Sequence, residues 1–268
     1  LEDRDGVIWL GSAYKNTISN PEVEINYGLH RFDARRNPIK QVDRNGADGL
    51  DLAGHEVWAL HEDRKGRLWV GTATGLHRLD RTRNTFVHYP TSNPVWFIDE
   101  AQDGRLWLGL VRLDKSAIAA FDPLTGQFTF YYYHPNNYRQ DLKVGSGLNS
   151  FNLRDVLCSR SGYVYVATGG GGINQLNPRT GQFTYYMPNA PYTPGHLNDR
   201  DVRTVYEDAD GIIWAGTGQG GLNLLDPKTG LFSFFSTQDG LPSNYIMSTI
   251  GDDKGNIWLG TDQGLSCF

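Results

Sequence analysis

No apolar run in the chain approaches the ~20 residues that a membrane-crossing helix requires, so no segment reads as a transmembrane span. Cysteine is scarce, with only Cys158 and Cys267. Each falls in a predicted strand of a different repeat, which favours two buried free thiols over a disulfide and leaves the redox compartment unread. Positive charge is not in excess: 25 Lys and Arg stand against 30 Asp and Glu, a net charge of −5, and a general nucleic-acid footprint is not expected. No signal peptide is visible. No Ser-His-Asp spacing and no metal-ligand cluster stands out, so the expected catalytic residues, metal ligands and cofactors are none.

Repetition is what the sequence does have. Asp253-Lys254-Gly255-Asn256-Ile257-Trp258-Leu259-Gly260-Thr261, followed by Gly264-Leu265, is a polar turn, a short apolar strand with one Trp, a Gly-Thr break and the opening of another strand. The pattern returns at Asp5–Gly11, Asp63–Thr72, Asp103–Gly109 and Asp210–Thr217, and in worn form at Ser161–Thr168, where Tyr165 takes the Trp place. The anchors of the six copies are Trp9, Trp69, Trp107, Tyr165, Trp214 and Trp258. A second motif rides on the first: Asp122-Pro123-Leu124-Thr125-Gly126, Asn177-Pro178-Arg179-Thr180-Gly181 and Asp226-Pro227-Lys228-Thr229-Gly230 are turns, with a looser version at Asp80–Phe86.

Each full copy parses as four short strands, here named a to d. In the second copy these are Val57–His61, Arg67–Gly71, Leu76–Asp80 and Thr85–Tyr89. Four antiparallel strands per unit of ~40–45 residues make an all-β propeller blade. The 32 glycines suit a hairpin-dense chain. The repeats run end to end, so residues 1–268 are expected to form a single propeller domain. The first copy lacks most of strand a and the sixth lacks strand d, which suggests a fragment of a longer chain and an incomplete disc with room for a seventh blade. The a–b and c–d turns stay short. Length variation sits in the b–c loop of the first copy and in the d–a connections, including the insertion His134–Leu153. In an up-and-down blade these connections emerge on one face, which places the variable loops around the mouth of a central channel, where binding residues are expected.

The Asp-x-x-Gly-x-Ile/Leu-Trp-Leu/Val-Gly-Thr-x-x-Gly-Leu repeat, the Asp-Pro-x-Thr-Gly-x-Phe turn and Leu241-Pro242-Ser243-Asn244-Tyr245-Ile246 together resemble the two-component regulator propeller repeat. The resemblance covers nearly the whole chain. It implies seven-bladed propellers, often in tandem, in the sensor region of bacterial hybrid histidine kinases, on the periplasmic or extracellular side of the membrane. It also implies sensing of polysaccharide breakdown products. The chain departs from the family in showing six copies, and its fourth copy has lost both the Trp and the Gly.

The repeated Trp residues read as core between blades rather than a sugar platform, because they recur at one structural position. The Asp-x-Asp-Gly runs at Asp3 and Asp208 read as turns; a calcium loop needs more oxygen donors and a late Glu. Gly169-Gly170-Gly171-Gly172 reads as a b–c loop, since no Gly-Lys-Ser/Thr ending follows. Flat aromatics with Asn and Arg donors on the loop-rich face suit a polar, ring-shaped ligand, and an Arg can also pair a carboxylate. The strongest candidates are Trp96, Arg154, Arg203 and Tyr245, each near the start of an innermost strand. His55, Tyr138, Asn149 and Arg200 complete the candidate ligand-binding set. A non-catalytic sensor of an oligosaccharide or similar polar ligand, joined in its parent chain to further propeller or signalling domains, is the leading reading. A lyase or glycosidase on the same scaffold is the alternative, with Asp48, Asp51, Glu56, Asp141, Asp199 and Asp239 as available carboxylates, and a protein-interaction disc is a third.

Overall fold

The computed structural model describes residues 1–12, 28–32, 38–41 (backbone only), 52, 56–112, 115–137, 144–189 and 193–268. Blade 1 holds β1 (Ile8–Ser12), β2 (Gly28–Phe32) and β3 (Pro38–Gln41). Blade 2 holds β4 (Val57–Glu62), β5 (Leu68–Thr72), β6 (Gly75–Asp80) and β7 (Thr85–Pro90); blade 3 holds β8 (Val95–Glu100), β9 (Leu106–Leu110), β10 (Ala117–Asp122) and β11 (Gln127–Tyr132). The insertion carries a two-residue strand, β12 (Val144–Gly145). Blade 4 holds β13 (Leu153–Cys158), β14 (Val164–Thr168), β15 (Gly172–Asn177) and β16 (Gln182–Tyr186). Blade 5 holds β17 (Val202–Glu207), β18 (Ile213–Thr217), β19 (Leu222–Asp226) and β20 (Leu231–Phe235), and blade 6 holds β21 (Ile246–Gly251), β22 (Ile257–Thr261) and β23 (Gly264–Cys267). Each sheet is ordered as the chain runs, and β12 adds a fifth strand outside β16. The fold is the all-β, four-stranded-blade architecture that the repeat pattern predicts. Among the described residues no helix is long and apolar enough to cross a membrane.

The chain divides into two compact units: Leu1–Glu100, Gly104–Val111 and Ala120–Phe128 form one, and Ala101–Asp103, Arg112–Ala119 and Thr129–Phe268 form the other. In the first, Trp9 and Leu29 of blade 1 pack with Val57, Leu68 and Val70 of blade 2. In the second, Tyr165 and Ile173 of blade 4 pack with Val202, Val205 and Ile213 of blade 5, and Leu222 of blade 5 packs with Ile246 and Leu259 of blade 6. Strands covered on both faces become continuously apolar, and β5, β9 and β14 are buried at every residue. The repeated Gly of Trp-Leu-Gly-Thr answers to the neighbouring blade: a Cβ on Gly71 would lie 2.5 Å from the carbonyl oxygen of Val95.

One polar device recurs at the a–b turns. Asp3, Asp63, Asp208 and Asp252 each accept the indole N–H of the Trp six residues on, at 2.7–2.9 Å. Each also accepts backbone N–H bonds from the residues two and four positions on, closing the turn. The Asp-x-Asp-Gly runs therefore spend their first carboxylate on turn chemistry. Blade 4 exchanges both partners. Ser159 holds the turn position, and Tyr165 accepts from Gln175 Nε2 of the adjoining strand at 2.7 Å. A salt bridge ties turn to turn: Arg4 meets Glu62, Arg64 meets Glu100 and Arg160 meets Glu207, with the backbone N–H of each Arg also donating to that Glu at 2.8–2.9 Å.

The strands lie where the sequence pattern puts them, with ends displaced slightly (β5 is Leu68–Thr72 against the expected Arg67–Gly71) and two further differences. Strand β13 begins at Leu153, the last residue of the expected insertion His134–Leu153, because Leu153 pairs with Thr168 ahead of an irregularity in register. The insertion also contributes β12, which alternation could not reveal in a two-residue strand. It is held by the Tyr185 hydroxyl donating to the Gly147 carbonyl at 2.5 Å and by Asn137 Nδ2 donating to the same oxygen.

Candidate functional site

The irregularity in β13 is repeated. In β4, β8, β13, β17 and β21 the register shifts after the first residue, between Val57 and Ala59, Val95 and Phe97, Leu153 and Asp155, Val202 and Thr204, and Ile246 and Ser248. A β-bulge leaves one residue out of the ladder and re-aims its side chain. The five skipped residues are Trp58, Trp96, Arg154, Arg203 and Met247. The residue before each of them is alike from blade to blade, since Val57, Val95, Leu153, Val202 and Ile246 are all buried aliphatics. The skipped residues are not alike, so one position on a repeated scaffold carries non-repeated chemistry.

In the first unit the skipped position is aromatic. Trp58 and Trp96 stack at 4.3 Å between ring centroids with their planes 8° apart. Both are half-buried, and Trp96 Nε1 is a buried donor with no hydrogen-bond partner among the described residues. Two adjacent inner strands thus present a flat double indole.

In the second unit the skipped position is cationic in blades 4 and 5 and is Met247 in blade 6. Arg203 donates from Nη2 to Asp201 Oδ2 at 3.0 Å and lies over the Tyr245 ring, 4.2 Å from its centroid. Arg154 approaches the other oxygen of the same carboxylate, Nε to Oδ1 at 3.8 Å, beyond hydrogen-bond range. Gly169 and Gly218 follow the b-strand Thr in blades 4 and 5. Neither has a positive φ. A Cβ on Gly169 would lie 2.3 Å from Asn152 Nδ2 and 3.1 Å from Arg154 Nε, and one on Gly218 would lie 2.5 Å from Asp201 Oδ2. The missing side chains are the room in which this cluster sits.

The structure therefore brings Arg154, Arg203 and Tyr245 together and places Trp96 in a separate aromatic pair. Asn149 leaves the exposed set. It is fully buried, exchanges two hydrogen bonds with Asn174 and donates to the Gly171 carbonyl, so its amide is a staple between connection and blade. Asn198 and Asn223 repeat the staple in blade 5. Arg200 is exposed, and its backbone carbonyl accepts the N–H groups of Gly170 and Gly172; Gly169–Gly171 form the b–c loop and Gly172 opens β15. His55 and Tyr138 lie outside the described residues, as do Asp48, Asp51 and Asp141. Sequence reasoning missed Trp58, Asp201 and Met247. The available signal was positional: Trp58 follows Val57 as Trp96 follows Val95.

The carboxylates of this region are largely committed. Asp199 accepts backbone N–H bonds from Asp201, Gln219 and Gly220, and Asp155 accepts from Val156 and Val205. Asp239 accepts from the N–H and hydroxyl of Ser236. His196 lies apart from the cluster, in a groove of about 180 Å³ with Tyr186, Met187, Leu197 and Phe232.

Residues 51–74, 196–219 and 240–263 match the family described as two component regulator propeller. Each matched segment spans a d–a connection, an innermost strand and its b strand, so each contains one skipped residue: Trp58, Arg203 or Met247. Among solved structures, the chain is similar over its whole length to the extracellular domain of a hybrid two component system from B. thetaiotaomicron, at 21% identity and a TM-score of 0.71, covering 32% of that chain. It is similar to the extracellular domain of a one component system from the same organism at 22% identity and a TM-score of 0.72, covering 34% of that chain. The chain thus spans about a third of the length of these relatives. Virginiamycin B lyase from Staphylococcus aureus shares the fold at 11% identity and a TM-score of 0.67, covering 82% of that chain. No curated protein matches the chain.

Proposed function

We propose that this chain, which carries two component regulator propeller repeats, is a non-catalytic, ligand-binding part of the extracytoplasmic sensor of a bacterial two-component signalling protein. The ligand is an oligosaccharide or similar polar molecule. The observation that carries the reading is the register shift shared by five innermost strands, which sets Trp58, Trp96, Arg154, Arg203 and Met247 outside their ladders at one structural position. In the first unit a flat indole pair suits the apolar face of a pyranose; in the second, guanidinium groups suit sugar oxygens. Both rest on rigid strands, so little ordering opposes binding. The extracellular domains with which the chain shares its fold support the placement outside the cytoplasmic membrane. Commitment of Asp155, Asp199 and Asp239 to hydrogen bonds within the chain supports recognition without chemistry.

A thermal-shift screen of oligosaccharides against the 268-residue chain tests this, because a ligand of the native state raises the melting temperature by mass action. A saccharide that stabilises the parent is expected to lose its effect in Trp96→Ala and keep it in Lys228→Ala, a change in a c–d turn. The opposite pattern places binding at the turns and overturns the assignment. Turnover of the saccharide by the parent chain overturns the non-catalytic reading.

A further inference from the structure

We infer that the cluster in the second unit is a subsite for a carboxylate, so that the ligand is an acidic saccharide bearing a uronate group; this rests on the sensor reading above. Two guanidinium groups from adjacent inner strands face a single carboxylate, that of Asp201. Of the other two acids on the same segments, Asp155 accepts the backbone N–H groups of Val156 and Val205, and Asp199 accepts those of Asp201, Gln219 and Gly220.

The two arginines are held differently. Arg203 is fixed from two sides, by its hydrogen bond to Asp201 and by the Tyr245 ring beneath it. Arg154 has only the 3.8 Å approach to Asp201; among the described residues its guanidinium makes no hydrogen bond, while 37% of its side chain is open to solvent. Arg154 Nε, Arg203 Nε and Asp201 Oδ1 are all buried atoms without hydrogen-bond partners among the described residues. A planar fork with unfilled donors matches a carboxylate in bidentate fashion, and a neutral hydroxyl leaves most of those donors unmet. The glycines at 169 and 218 keep this space free of Cβ atoms, whereas blade 2 has Ala73 and blade 3 has Val111 after the corresponding residue. In this arrangement Arg154 takes the ligand carboxylate, Arg203 supports it, and Asp201 is the internal competitor that holds the fork open when no ligand is present.

The sign of one substitution separates this from a general polar site. If Asp201 competes with the ligand carboxylate, Asp201→Asn tightens binding; if Asp201 accepts from sugar hydroxyls, the same change weakens it. The probes are trisaccharides of galacturonate, guluronate and mannuronate, each beside its methyl ester, with neutral galactose and mannose trisaccharides as a separate arm. Binding is read by calorimetry and melting temperature on the 268-residue chain. The expected result is that at least one uronate binds and its ester does not. Arg154→Ala should weaken binding about tenfold or more, consistent with loss of hydrogen bonds to a charged group, and Asp201→Asn should strengthen it. Rising salt should weaken it. Arg154→Lys, which keeps the charge and loses the fork, should recover only part of the affinity, and the melting temperature of each unliganded variant reports whether it folds. Binding of a neutral trisaccharide or an ester with no preference for the acid overturns the inference while leaving the sensor reading intact. Absence of binding in every arm overturns both.

Discussion

The two ends of each innermost strand follow opposite rules. At the a–b turn, chemistry is copied from blade to blade: Asp to Trp indole in blades 1, 2, 5 and 6, and Arg to the Glu of the next turn at three junctions. At the bulged end, geometry is copied and chemistry is not, and the residue there is Trp, Trp, Arg, Arg and Met in succession. In a repeat protein, what recurs holds blades together, and what departs from the repeat at a fixed position is free to meet something else.

The largest effect that would break this contrast lies at the copied end. Trp69 is fully buried and touches Phe121 edge-on at 5.5 Å, so Trp69→Ala is expected to cost about 3–5 kcal/mol by chemical denaturation. Trp258 makes the same Asp bond but is only half-buried, and its truncation should cost about half as much or less. Equal costs, or lost binding without lost stability at Trp69, would assign the repeated Trp a ligand role.

Next in size is acid sensitivity. Burial pushes the Asp63 carboxyl up, but hydrogen bonds from Trp69 and Arg67 outweigh it and hold the group below its ordinary 3.8. Asp3 is lowered in the same way, with burial opposed by Trp9 and Arg81. Asp252 falls to about 2, chiefly through the Trp258 and Asn256 bonds. A carboxylate depressed in the folded state stabilises it above the unfolded value, and that stability is lost as pH falls through the folded value. Stability should therefore fall between about pH 5 and about pH 1. Asp63→Asn should flatten this decline, measured by Trp fluorescence. A decline unchanged in Asp63→Asn would mean that other carboxylates set acid stability.

The smallest effect sharpens the comparison between junctions. Glu207 receives the Arg160 backbone N–H and the Ser159 hydroxyl in addition to the Arg160 side chain. Glu207→Ala should cost about 1–2 kcal/mol through the unmet donors. Arg160→Ala should cost less than about 1 kcal/mol, because half of its side chain is in solvent. At the junction of blades 5 and 6, Ala209 and Gly251 hold the corresponding positions.

The fold was legible because its causes are local and repeated. The Trp-x-Gly-Thr strand and the Pro-x-Thr-Gly turn state the blade period without any long-range contact. The aromatic core role of Trp9, Trp69 and Trp107 followed from recurrence alone and is seen as burial. The site was legible only in part. Arg154, Arg203 and Tyr245, singled out because they lie near the starts of inner strands, do cluster in space, but a bulge leaves no composition signal, so the positions of Trp58 and Asp201 beside such residues were invisible. Asn149 misled because an exposed-looking polar residue before a strand can equally be a buried staple, and the difference depends on Asn174, 25 residues away. The strand β12 was hidden for the same reason: its partner β16 lies beyond three intervening strands in the chain.

The shared bulge also bears on how such a chain can diversify. Most substitutions in a buried strand are constrained twice, by the ladder that fixes the backbone and by the neighbouring blade that fixes the volume. Positions 58, 96, 154, 203 and 247 escape the first constraint, since the register passes over them, and Met247 escapes much of the second at 58% exposure. They behave as sockets: the residue can be exchanged while the architecture stays fixed. Under the proposed sensor reading, selection acting on these five codons moves ligand preference from one chemistry to another without passing through unfolded intermediates, and a library randomised there is a small, foldable space in which to test that reading.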